Sequence, residues 1–238
     1  MQNIISSEKT FLKDYGWHSG RFYFSFGDYI DPENNGFGVL SALNDFCVKP
    51  GKGFTTHGHS GVEIITLVME GILVHKDNLG YEVVLERGDS QYTRTGSGIM
   101  HSEMNGSREN DLRFLQIWIE PRRKDMAPFY CQIKTSGQCE SACIHQIASG
   151  KKLEGVQQIA QDANIFSMNI CRDHQVKYAN HPNRQSLLVC LEGRVNHGEA
   201  NLRQFDAEKI MTEAEVSLIA QEDSRVLVVE MAKAPFVS

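Results

Sequence analysis

Residues 53–63 read Gly53-Phe54-Thr55-Thr56-His57-Gly58-His59-Ser60-Gly61-Val62-Glu63, and residues 98–104 read Gly98-Ile99-Met100-His101-Ser102-Glu103-Met104. The first stretch holds a His-x-His pair, the second a His-x-Glu pair. Side chains alternate faces along a β-strand, so both members of each pair point the same way. Two such pairs on neighbouring strands of a barrel converge on one point. Three neutral imidazoles and a carboxylate suit a divalent transition metal, and coordination positions left open can take a substrate or oxygen. The bland rival for His57, His59, His101 and Glu103 is a hydrogen-bonded polar cluster. The sequence around them favours the metal reading.

Outward from these pairs, short apolar runs separated by Gly, Asn and Asp fill the chain, the pattern of an all-β protein. Expected strands in the first half are Val39–Leu43, Val62–Val68, Ile72–His75, Glu82–Leu85 and Leu112–Ile119. Gly71, Asp77-Asn78-Leu79-Gly80, Gly88-Asp89 and Gly96-Ser97-Gly98 supply the turns between them. Helical periodicity is weak, with one short helix expected over Glu154–Asp162. Near Thr135–Ser141 the chain turns polar and loses its strand pattern, which divides it into domains over 1–135 and 136–238. A faint internal repeat supports two domains. Ile65–Gly71 reads ITLVMEG and Leu187–Gly193 reads LLVCLEG. Carrying that offset over the metal set gives Ala179 for His57, His181 for His59, Asp223 for His101 and Arg225 for Glu103. The second domain is expected to share the fold, to lack the metal and to shape the first domain's entrance.

The bulk numbers exclude other classes. A chain of 238 residues with 41% hydrophobic and 23% charged residues has material for a substantial core. The net charge of −6, with no Lys/Arg stripe, gives nucleic-acid binding no electrostatic support. No stretch reaches the apolar length of a membrane span, and the start of the sequence lacks a signal-peptide pattern, so a cytoplasmic protein is expected. The six cysteines are scattered, and a reducing compartment keeps such thiols free. Cys139 and Cys143 with His145 are the one cluster to weigh as a second metal site. A closed zinc site needs a fourth ligand, none is evident, and a polar linker is the preferred reading.

Gly51-x5-His57-x-His59-x3-Glu63, followed by Gly71, resembles the first motif of the cupin superfamily, and Gly88-x7-Gly96-x-Gly98-x2-His101 resembles the second. Two departures narrow the likeness. The carboxylate ligand of a common cupin comes from the first motif, which here offers Glu63, and Arg94 stands where the second motif usually carries proline. The His101-x-Glu103 segment instead resembles the pirin family, as do Phe24–Pro32, Gly53–His59 and Leu115–Ile119 in order and position. The likeness is dense from Trp17 to Pro121 and thin after Lys134. It is strongest to the bacterial pirin-like quercetin 2,3-dioxygenases. It implies two tandem jelly-roll-like cupin barrels, metal-binding in the first and degenerate in the second.

What the resemblance implies chemically is a dioxygenase that opens the central ring of a flavonol such as quercetin with O2 and releases carbon monoxide. One divalent transition metal per chain is implied, iron first, with manganese, nickel, cobalt, copper and zinc as alternatives. Its ligands are His57, His59, His101 and Glu103, and Glu103 doubles as the base that takes the substrate's proton. The expected partners are a small aromatic substrate and O2, with the chain acting as a monomer. The competing readings are a metal-dependent, redox-sensing protein partner of a transcription regulator, as eukaryotic pirins are, and a cupin enzyme for another substrate. Glu63 lies an even number of residues past His59; if the strand runs unbroken it faces inward as an orienter or acid/base, the alternative being a surface carboxylate. Gln116, between Phe114 and Trp118 on one strand face, suggests the cavity, with outward placement as the alternative. His75, His145, His174 and His197 lack a partner at ligand spacing and read as structural or exposed; His18 is unassigned.

Overall fold

The computed structural model describes residues 3–134, 141–181, 183–212 and 215–233. Strands dominate these residues, with one short 3-10 turn at Ser7–Lys9. No helix among them is long and apolar enough to cross a membrane. The expected strands are present, some extended: Leu40–Val48, Glu63–Glu70, Ile72–Asp77, Glu82–Glu86 and Leu112–Ile119. The helix expected over 154–162 is absent. Gly155 takes φ 70°, a left-handed conformation that interrupts a helix, and Gln157–Gln158 is a short strand parallel to Ala148–Ser149.

The chain forms two compact units, one over Phe11–Thr135 and the other from Ser136 onward together with the segment ending at Thr10. The expected first domain is therefore corrected at its amino end. Asn3–Ile5 pairs antiparallel with Ala207–Lys209 and belongs to the second unit's sheet. Backbone pairing over such a distance leaves no mark in three side chains. The expected boundary at 135–136 lies outside the described residues.

Both units follow one plan. In the first, a seven-stranded sheet runs Phe129–Ile133, Ser90–Arg94, Glu63–Glu70, Leu112–Ile119, Leu40–Val48, His18–Phe22, Phe11–Asp14. A four-stranded sheet runs Gly53–His59, Ile99–Asn105, Ile72–Asp77, Glu82–Glu86. In the second unit, the four-stranded sheet is Gln175–Ala179, Glu215–Ala220, Arg194–His197, Ala200–Arg203. The central strands of its large sheet are Arg184–Glu192, Ser224–Ala232 and Ala163–Ile170.

The repeat sits at the same hinge in each unit. Gly71 and Gly193 follow the long central strand at φ 79° and 77°. A Cβ at either would lie 2.4 Å from a backbone carbonyl, that of Asp111 or that of Asp223. Only glycine fits both the conformation and the approach. From that anchor the register matches residue by residue. Thr66 pairs with Gln116 and Ile64 with Trp118; Leu188 pairs with Val228 and Ser186 with Glu230.

The inner faces of each pair of sheets close on an apolar core. In the first unit Phe22, Phe46, Val68, Leu73, Leu85 and Phe114 form one buried cluster. Each such side chain stabilises the fold by roughly 1.5–3 kcal/mol relative to exposure. This packing leaves one end of the interior to the polar residues described next.

Candidate metal centre

The His-x-His strand and the His-x-Glu strand are neighbours. His57 stands directly opposite His101, and His59 opposite Ile99. Ring centroids lie 4.7 Å apart for His57 and His59, 4.6 Å for His57 and His101, and 5.0 Å for His59 and His101. One nitrogen from each ring falls within 4.8 Å of the others. A register shift follows His101, so Glu103 stands opposite Phe54. On the other side Glu103 faces His75, and His101 faces Asp77. Glu103 thus groups within 4.8 Å with His101 and His75, while the imidazole triad shares only His101 with that group.

These imidazoles fit a metal. The Nδ1 of His57 lies 2.7 Å from the Thr55 carbonyl. A carbonyl only accepts, so Nδ1 carries the proton and Nε2 keeps its lone pair outward. Both ring nitrogens of His101 are buried and hydrogen-bond to no described residue. A buried polar group left in that state costs about 1–3 kcal/mol, a cost that ligation removes. Burial lowers His101 to about 3, with the neighbouring histidines adding to the effect. His59 is lowered to about 4, by burial first and then by His57. Both stay neutral near pH 7, the state that binds metal.

Glu103 is only 2% exposed, and burial pushes its carboxyl up to about 7. Three donors oppose that shift: Gln116 Nε2, Thr66 Oγ1 at 3.3 Å and Gln91 Nε2 at 2.8 Å. The amides are themselves oriented. The Tyr130 hydroxyl donates to Gln91 Oε1 at 3.0 Å, and Trp118 Nε1 donates to Gln116 Oε1 at 3.3 Å. Each amide therefore turns its NH2 toward Glu103, an arrangement that accepts a carboxylate. His57, His59, Glu103 and Gln116 line one cavity of about 180 Å³, walled by Phe26, Phe46, Phe54 and Trp118.

Gln116 lines the cavity, as its strand face suggests. Glu63 does not face it. Glu63 is buried and accepts from the Tyr92 hydroxyl, but it lies an odd number of residues from Thr66, on the opposite face of its strand. The turn at Gly61, φ 67°, breaks the strand between His59 and Glu63, so parity does not carry across.

His75, read as structural or exposed and without a partner at ligand spacing, is buried and does have such a partner. It is fully buried, stacks on Tyr130 at 4.3 Å, and its Nε2 lies 3.1 Å from Asp77 Oδ2. His75-x-Asp77 is a third period-two pair, and that spacing was its available signal. Thr66, Gln91 and Tyr130 carried none. Of the remaining histidines, His197 is buried with Nδ1 2.9 Å from Glu208, and His18 stacks on Tyr15.

In the second unit the register replaces the constant-offset mapping. Tyr178 pairs with Val216 where His57 pairs with His101, and Leu218 pairs with His197 where Glu103 pairs with His75. Tyr178, Val216 and Leu218 thus hold the positions assigned to Ala179, Asp223 and Arg225. The connection from His197 to Leu218 is shorter than that from His75 to Glu103, which shifts the count. Among the described residues, the groups close enough to hold a metal are the two in the first unit. Cys143 Sγ lies 3.3 Å from His145 Nε2; Cys139 is outside the described residues.

Comparison with known proteins gives two family matches along the chain. Residues 5–119 match the family model "Pirin", and residues 146–231 match "Quercetinase C-terminal cupin domain". The chain is 34% identical over 220 residues to a pirin-like protein of Caulobacter vibrioides, covering 92% of this chain and 94% of that one. It is 30% identical over 218 residues to the quercetin 2,3-dioxygenase of Escherichia coli K12, covering 92% and 93%. The crystal structure of the bacterial pirin YhhW of E. coli in complex with nickel(II) superposes with a TM-score of 0.92 at 29% identity, covering 98% of this chain and all of that one.

Proposed function

This chain belongs to the pirin family of bicupins, and on that premise we propose that it is a metal-dependent dioxygenase cleaving a flavonol such as quercetin with O2. The observation that carries the reading is the single cavity onto which His57, His59, Glu103 and Gln116 open between aromatic walls. His57 Nε2, His59 and His101 would hold a divalent transition metal, with Glu103 completing the set. When bound, the ion supplies Lewis acidity and open coordination positions.

The remaining roles belong to the chain's own side chains. Phe26, Phe46, Phe54 and Trp118 give a planar polyphenol an apolar slot and keep water from it. Glu103 takes the proton of the substrate's hydroxyl onto a carboxylate oxygen. The Gln91, Gln116 and Thr66 donors hold that carboxylate in place through the transfer. The test is reconstitution with iron, manganese, nickel, cobalt, copper or zinc in turn, then measurement of O2 uptake and carbon monoxide release with quercetin. Flavonol-dependent release of carbon monoxide with at least one metal is expected. Fully metallated protein that oxygenates no flavonol with any of them overturns the proposal.

A further inference from the structure

The second unit has a cavity of its own, about 330 Å³, whose lining includes Ser149, Asn164, Phe166, Tyr178, Arg184 and Glu230. Its place follows from the register. Tyr178 occupies the position of His57, and Glu230 that of Trp118; His57 and Trp118 line the first unit's cavity. The two units therefore differ at two depths. Deep inside, Leu188, Val216, Leu218 and Val228 replace Thr66, His101, Glu103 and Gln116, and all four join one apolar cluster. At the mouth the exchange runs the other way. Glu230 replaces Trp118, Asn164 replaces Ala42 and Ser186 replaces Ile64. Filling the core accounts for a stable barrel without metal. It does not account for polar groups buried at the mouth, where apolar ones would avoid a desolvation cost.

Those groups form a connected array. Glu230, 1% exposed, accepts from Asn164 Nδ2 at 2.5 Å and pairs with Arg184 Nε at 3.1 Å. Asn164 Oδ1 accepts from Ser149 Oγ at 2.7 Å and from Gln146 Nε2 at 3.2 Å. Arg184 also donates to Asp162 at 2.8 Å. The Tyr178 hydroxyl is buried beside Ser186 and Glu230, without a well-aligned hydrogen bond to any described residue. Burial first, then the Glu230 charge, raises its pKa, so it remains a neutral phenol with a proton to donate. The Phe166 ring, 5.2 Å from that of Tyr178, adds an apolar face. Arg184 is offset by Glu230 and Asp162, and the other cation of the lining, Lys151, is exposed to solvent, so the buried array itself offers an anion no excess of positive charge.

We propose that this cavity binds a neutral, hydroxyl-rich ring of monosaccharide size. The Tyr178 hydroxyl and the Asn164–Glu230–Arg184 array bond its hydroxyls, and Phe166 packs against its apolar face. A cavity of this volume lies at the small end of ligand sites.

Saturation-transfer NMR on the full, metal-loaded chain tests this, with D-glucose, D-xylose, L-rhamnose and myo-inositol as probes and D-glucuronate and inorganic phosphate as comparators. At least one neutral probe is expected to bind saturably, and Tyr178→Phe should weaken it about three- to tenfold, the loss of one hydrogen bond. Gln146→Ala, at the half-buried edge, is a second variant and decides the matter should Tyr178→Phe fail to fold. His101→Ala should leave the binding intact, which separates this site from the metal centre. Three results overturn the proposal: no saturable neutral probe, preference for glucuronate or phosphate, or wild-type affinity in the folded Tyr178 and Gln146 variants.

Discussion

His57 and His101 face each other across paired antiparallel strands, their ring centroids 4.6 Å apart. The strands, rather than any loop, fix that spacing, so the nitrogen cluster is set before a metal arrives. The surrounding core of Phe46, Phe114, Val68 and Leu73 packs without it.

His101→Ala should therefore remove the metal and spare the fold. Loss of a ligand is expected to weaken metal affinity by more than the roughly 10–100-fold typical of an outer-sphere partner. Elemental analysis against a circular-dichroism melt checks this; full occupancy in the variant sinks the ligand assignment.

Glu103→Gln keeps size and removes the basic carboxylate. Turnover per bound metal should fall about 10²–10⁴-fold, the usual range for a general base. An unchanged rate per metal would leave Glu103 as a ligand alone.

Gln91→Leu removes a donor that favours the charged form of Glu103. Burial then acts with less opposition, and the carboxyl moves up relative to the wild type. The acid limb of the rate profile should shift to higher pH than in the wild type. A limb that stays put or moves to lower pH would show that another group controls it.

The metal-free protein should lose stability on acidification. His59 and His101 sit at about 4 and 3 in the fold against 6.5 ordinarily, so their contribution is full above pH 6.5 and is lost as pH falls toward those values. Glu103, raised to about 7, acts oppositely and loses its contribution as pH rises through that value. Two imidazoles outweigh one carboxyl. Urea unfolding between pH 7 and 4 measures the slope, which should flatten in His59→Gln.

Gly71→Ala and Gly193→Ala should each destabilise their unit by about 1–3 kcal/mol or more, because the added Cβ meets a carbonyl at 2.4 Å and φ is positive. Denaturant midpoints check both; a neutral substitution at either would undo the hinge argument.

The sequence by itself determined what local spacing encodes. Period-two pairs announced His57, His59, His101 and Glu103, and the ITLVMEG and LLVCLEG segments announced two copies of one plan. Pairs of that kind survive in a linear reading because strand alternation is a property of consecutive residues. Partners supplied by other strands were not legible. Gln91 and Thr66 reach Glu103, and Tyr130 reaches Gln91, through register, and nothing adjacent to them in the chain marks it. Parity failed for Glu63 because a turn intervenes, and a fixed offset failed at Val216 and Leu218 because one connection is shorter. Only the tertiary structure decided that the second barrel is filled where the first holds its polar centre, since that depends on which strand lies beside which.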